Sequence, residues 1–275
     1  MMRLLPFLLV LVTGSCGKSG TAPEEAQGGS DSPSPAEGIS AWDQDAALAE
    51  TIRNGAPAFG DAGAPRGPRH GSIRSWIQGG QTERALTALE PLSKSDASGE
   101  AAFLAGWTLY RAQRYALALP HLMRAVERGP GYPQAELTFF LAGRCLQERG
   151  KLEAARAALE ADIDLRPKEG GGHFWLAQVL LETGQTEICE THARKALQLY
   201  SRPQDRAKVH ALLADVHLAK GSPGSARQAL ERCVEIYPHY EVFYRLSQLC
   251  RSAGDTEAAE RYLALHNEWR TKAGR

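Results

Sequence analysis

Residues 139–167 read FFLAGRCLQERGKLEAARAALEADIDLRP, and this stretch decides the fold. Phe139, Ala142 and Leu146 recur at i, i+3 and i+7, the spacing that lines one face of a helix. Gly150 interrupts the pattern. Leu152, Ala155, Leu159 and Ile163 then line one face of a second helix, and Pro167, which cannot continue a helix, closes the unit. Glycines equivalent to Gly150 stand at Gly184, Gly221 and Gly254, at spacings of 34, 37 and 33 residues, each flanked by apolar-periodic stretches. A supersecondary unit repeated at that period cannot bury its apolar face alone and has to stack on its neighbours.

The further copies read LAQVLLETGQTEICETHARKALQLYSRP, LADVHLAKGSPGSARQALERCVEIYPHY and LSQLCRSAGDTEAAERYLALHNEW. An earlier one reads AGWTLYRAQRYALALPHLMRAVERGP with Gln113 at the turn position, and a degenerate IRSWIQGGQTERALTALEPL begins the array. Small residues recur where two helices approach: Gly106, Gly143, Ala177, Ala214 and Ser247 on the first helices. Ala118, Ala155, Cys189, Ala226 and Ala259 match them on the second helices. Ser222 and Asp255 are placed to cap following helices, with Pro223 at a first helical position. No strand is indicated. These positions resemble the tetratricopeptide repeat. The resemblance implies an all-α, right-handed superhelical solenoid of five to six helix pairs over residues 66–275.

The repeats occupy only part of the chain. Residues 1–16 have one positive charge at Arg3, an apolar run from Leu4 to Val12, and Thr13-Gly14-Ser15-Cys16. Nine apolar positions are too few to span a bilayer but suit an export signal. VTGSCG resembles the lipobox of bacterial lipoproteins, although Thr13 stands where Leu is usual. That resemblance implies cleavage before Cys16 and its lipidation. The expected location is therefore the cell envelope, membrane-anchored at the outer membrane or periplasm, with a soluble exported protein as the alternative. Residues 17–65 are rich in Gly, Ser, Pro and Ala, with two basic residues against eight acidic ones. They read as a flexible acidic tether about 40 Å long. Within it, residues 39–53 could form one short helix presenting Trp42, Ala46 or Ala47, and Ile52.

The chain is neutral, with 32 basic and 32 acidic side chains. The acidic tether leaves a body of modest positive charge from Arg66, without the concentration typical of nucleic-acid binders. None of the five cysteines lies in a C-x-x-C pair. Cys145, Cys189, Cys233 and Cys250 read as small core residues, with a Cys233–Cys250 disulfide as the alternative. His210 and His217 are about 10 Å apart on one helix, too far for one metal, and His173 repeats the position of His210. The run Gly170-Gly171-Gly172 reads as a loop between repeats. Catalytic motifs, metal sites and cofactors are not expected, and insertions of about three residues leave no room for a catalytic domain.

The family resemblance implies that positions 2, 5, 9, 12 and 13 of each repeat line a groove for a protein or peptide partner. Position 5 carries Phe103, Phe140, Phe174, Ala211 and Tyr244; position 9 carries Trp107, Arg144, Gln178, Asp215 and Gln248. The last two positions add Tyr110, Arg111, Gln147, Glu148, Glu182 and Arg251. Aromatic area beside Arg and Gln suits an extended or helical peptide. The Lys/Asn set with which chaperone-binding members hold a terminal carboxylate is absent. A non-catalytic scaffold follows, with no small-molecule substrate. Lipid-anchored assembly factors for outer-membrane proteins or type IV pili share this layout. The alternative is an RNA-binding array like the pentatricopeptide repeats, which have a similar period.

Overall fold

The computed structural model describes residues 44–60 and 70–274. Among them there are thirteen helices and no strand. Six helix pairs follow one another: α2 (Gly71–Gln78) with α3 (Thr82–Ser95), α4 (Glu100–Arg111) with α5 (Tyr115–Arg128), and α6 (Leu137–Glu148) with α7 (Leu152–Leu165). Then come α8 (Gly170–Glu182) with α9 (Thr186–Leu199), α10 (Pro203–Ala219) with α11 (Pro223–Ile236), and α12 (Tyr240–Ser252) with α13 (Thr256–Ala273).

The turn inside every pair is built alike. Gly80, Gly150, Gly184, Gly221 and Gly254 all adopt left-handed geometry with φ between 69° and 79°, and Gln113 holds φ 61° at the same place. The next amide bonds back to the carbonyl five residues earlier: Lys151 to Leu146 at 2.9 Å, Gln185 to Leu180 at 2.8 Å, Asp255 to Cys250 at 2.9 Å. This satisfies carbonyls that would otherwise be orphaned at the helix end. Asp255 caps α13 by accepting from the Ala258 amide at 3.1 Å. Ser222 makes no side-chain cap, although Pro223 does open α11.

Small residues permit the close crossing within each pair. A Cβ on Gly106 would lie 2.6 Å from Leu122 Cγ, and one on Gly143 2.8 Å from Leu159 Cγ. At the equivalent place in the last pair, Ser247 donates to the Ala259 carbonyl at 2.8 Å. The first helices of successive pairs touch, α4 with α6, α6 with α8 and α8 with α10, and no two second helices make comparable contact. The array therefore bends with the first helices on its inner side and the second helices splayed outside.

Three sequence expectations change. The glycine run is not a loop: it forms the first turn of α8. Its missing side chains admit the Tyr200 ring beside Gly170, the Phe140 ring beside Gly171 and the Asp162 carboxylate beside Gly172. The short helix lies further along than 39–53, as α1 (Asp45–Gly60). Nor are residues 45–60 part of a free tether, because they pack onto the helical body. Leu48, Ala49, Ile52 and Phe59 share one face of α1 and are buried against α7 and α5. Asp45 accepts from the Glu153 and Ala154 amides at 3.0 and 2.8 Å, capping α7. At the other end Gly60 lies beside Leu165, and Phe59 meets Phe139 edge to face at 4.8 Å. α1 thus runs alongside α7 in the same direction and fills the outer trough between α5 and α7. The expected signal segment, Cys16 and Trp42 lie outside the described residues.

Candidate functional site

The inner face is lined by α4, α6, α8, α10 and α12, and its side chains fall into two groups. The first group supports the wall. Phe103 is fully buried, stacked on Trp107 at 6.1 Å and tilted against Tyr132 at 5.1 Å. Phe174 is buried between Trp175 at 5.0 Å and Tyr200 at 6.3 Å. Arg144 is 6 % exposed, with its guanidinium over the Trp175 ring at 3.2 Å. It donates to Gln147 at 2.7 Å and Glu148 at 3.0 Å, and Gln147 donates onward to Glu182 at 2.6 Å. The contacts of Arg144 and Gln147 join α6 to α8, so Arg144, expected to line a groove, instead holds neighbouring repeats in register, and Phe103 and Phe174, expected there too, are buried in the wall. The physical reason is local: the Tyr132 and Tyr200 rings, just beyond α5 and α9, cover Phe103 and Phe174, and the Trp175 ring of α8 covers Arg144.

The second group faces outward. Trp107, Tyr110, Phe140, Gln147 and Gln178 are half-buried. Arg111 is exposed overall, yet it donates to the Ile77 carbonyl at 2.9 Å and lies 6.0 Å from the Trp107 ring. Arg166 covers the Phe140 ring at 5.4 Å. Glu148, Glu182, Gln248 and Arg251 are exposed, and Tyr244 is exposed by 45 % with one edge against His266. Sequence reasoning passed over Leu218, which is 43 % exposed on α10. Its signal was available, since it occupies the same repeat position as Tyr110, Gln147 and Arg251. Unengaged apolar area on the inner face therefore concentrates on α10 and α12, at Leu218 and Tyr244.

Cys145, Cys189, Cys233 and Cys250 are free and buried. Burial pushes the Cys145 thiol up to about 12 and those of Cys189 and Cys233 to about 11. A thiol held protonated is a poor nucleophile and a poor metal ligand. No cluster of three or more potential metal ligands occurs among the described residues. Asp162 is buried, and desolvation outweighs its pairing with Arg166, raising the carboxyl to about 6. His173 does not merely repeat His210; its ring meets that of His192.

Two family models, both described as tetratricopeptide repeat, match the chain, one over residues 173–239 and the other over 74–133 and 140–187. No curated protein matches it. Among solved structures, MamA of Desulfovibrio magneticus RS-1 is similar at 14% identity, covering 64% of this chain and 96% of its own, with a TM-score of 0.55. The C-terminal part of a TPR repeat-containing protein from Cytophaga hutchinsonii gives 14% identity, 74% and 80% coverage, and a TM-score of 0.59. The Cut9–Hcn1 hetero-tetramer of the APC/C gives 16% identity, 81% and 45% coverage, and 0.57. At these identities the likeness is one of fold.

Proposed function

Because the chain is a tetratricopeptide-repeat protein, we propose that it is a non-catalytic scaffold whose inner face holds a protein or peptide guest. The observation that carries this reading is the division of the inner face. Phe103, Arg144 and Phe174 are committed to the wall, while Leu218 on α10 and Tyr244, Gln248 and Arg251 on α12 stand exposed. Aliphatic and aromatic area beside a guanidinium and an amide suits a polypeptide, whose side chains take the apolar surface and whose backbone takes the polar groups. Cut9, similar in fold, occurs in a complex with another protein.

Location belongs to the same proposal. The apolar run and Cys16 support export with a lipid anchor, and an envelope scaffold of the kind that assists outer-membrane or pilus assembly is its more specific form. Fatty-acid labelling of cells expressing the wild type and Cys16→Ser tests the anchor, and equal label in both would remove it. A photo-crosslinker at position 244 tests the groove. It should trap a guest that the same probe at Ser225, on the second helix α11, does not. Combined Leu218→Ala, Tyr244→Ala and Arg251→Ala should weaken that capture at least about tenfold, the loss expected when several anchors of one contact are truncated. Undiminished capture by this triple variant would overturn the reading. Tight, salt-sensitive retention of a random RNA pool would favour the RNA-binding alternative instead.

A further inference from the structure

In the fourth helix pair, two imidazoles meet nitrogen to nitrogen. His173 lies at the start of α8 and His192 on the facing side of α9; their Nδ1 atoms are 2.9 Å apart and their ring centroids 5.2 Å. Two Nδ1 atoms at that distance hold one proton between them, with one ring donating and the other accepting. When both rings are charged, both Nδ1 atoms carry hydrogen, and attraction becomes repulsion between two cations in a largely buried place.

The pairing is not a by-product of the repeat. His121 stands on α5 where His192 stands on α9, but the matching position on α4 is Ala102. His210 stands on α10 where His173 stands on α8, but the matching position on α11 is Ala229. Only the fourth pair has both rings. The contrast has a physical mark as well, since His121 Nδ1 is buried without a partner.

The surroundings oppose a second charge. His173 is 9 % exposed. Lys195 of α9 faces it, while Arg156 and Glu160 of α7 face His192 with opposing effects; nothing on α6 or α10 contributes at either ring. Asp162 of α7 lies beside the preceding Gly172 but is paired with Arg166. Burial first, then His192 and Lys195, hold His173 down to about 4, and burial lowers His192 as well.

We propose that His173 and His192 form an acid-operated latch between the two helices of the fourth pair, closed while they share one proton and opened when both are charged. The sign follows from linkage. Both folded-state values lie below the ordinary histidine value of 6.5, so the unfolded chain binds more protons between that value and about 4. The latch stabilises the pair fully above that window and is lost as the pH falls through it. Opening would shift α8, which carries Trp175 beneath Arg144 and Phe174 against Tyr200. That consequence for the inner face rests on the scaffold reading; the latch itself does not.

The test uses the full chain without any guest. Thermal unfolding is followed from pH 7.5 to 4.5 for the wild type, His192→Gln, and the double variant His173→Gln with His192→Gln. The wild type should lose about 5 °C more than the double variant across that range, with His192→Gln between them because one amide–imidazole bond is kept. Parallel curves for wild type and double variant would overturn the latch. Should the variants fail to fold, nitrogen-15 NMR of the wild-type histidines decides. The latch requires one Nδ1–H ring and one Nε2–H ring at pH 7, both charging only below the ordinary histidine value of 6.5. Two rings charging at or above that value would overturn it too.

Discussion

Gln113 occupies the one pair turn in which left-handed geometry is imposed on a side chain. A Cβ in that conformation costs about 1 kcal/mol that glycine avoids. Gln113→Gly should therefore raise stability by up to about 1 kcal/mol, seen as a higher urea midpoint with an unchanged slope. Gly106→Ala should act oppositely. The added methyl would meet Leu122 Cγ at 2.6 Å and the Leu122 amide nitrogen at 3.2 Å, so part of the obstacle is backbone. Overpacking costs about 1–3 kcal/mol, and the roughly 1 kcal/mol gained in helix propensity does not cover the upper part of that range. Asp162→Asn should remove one pH-dependent component. With its carboxyl raised to about 6 by burial, Asp162 favours the folded state below its ordinary value, an advantage lost as the pH rises through about 6. The Asn variant should lack that decline in a series of urea midpoints. The small positions at the helix crossings were legible in the sequence because they recur at the repeat period. The exposure of Phe103, Arg144 and Phe174 was not, because their burial depends on contacts with Tyr132, Trp175 and Tyr200 that the repeat spacing does not give.

Among the elements, α1 separates composition from structure. Two glycines and Pro57 make its segment a weak helix former, and a helix of 16 residues is marginal in water even with a better sequence. It is ordered by what it docks on. The sign lay elsewhere in the chain, on α7. Its Ala154, Ala157 and Ala161 stand where α5 has Leu117, Pro120 and Arg124, and where α9 has Ile188, Thr191 and Lys195. The three alanines are buried, whereas Leu117 and Ile188 are exposed by 51 % and 45 %. An outer face reduced to alanine is one that another helix covers. A reading that judged residues 17–65 by their own composition could not see this. Asp45→Ala should cost about 1 kcal/mol through loss of the cap on α7, and Ile52→Ala about 2–5 kcal/mol of docking energy. Both should speed hydrogen exchange at residues 45–60 first, before exchange rises in α10 to α13.

For the whole molecule, each pair packs mainly on its neighbours, so stability is spread along one dimension. Leu122 and Leu230 are both buried, on α5 and α11 with five helices between them. Leu122→Ala and Leu230→Ala should each destabilise by about 2–5 kcal/mol, and the double variant should equal their sum within about 0.5 kcal/mol. A shortfall larger than that would reveal coupling along the array that its contacts do not show. The position of α1 also decides how the molecule can be held. Gln44 joins the body on its outer side, next to the start of α7, and a pull on it bears on the two amides that Asp45 engages. A bead or surface coupled ahead of that point grips the array by its back and leaves its palm open, whereas coupling through Tyr244 would close the hand.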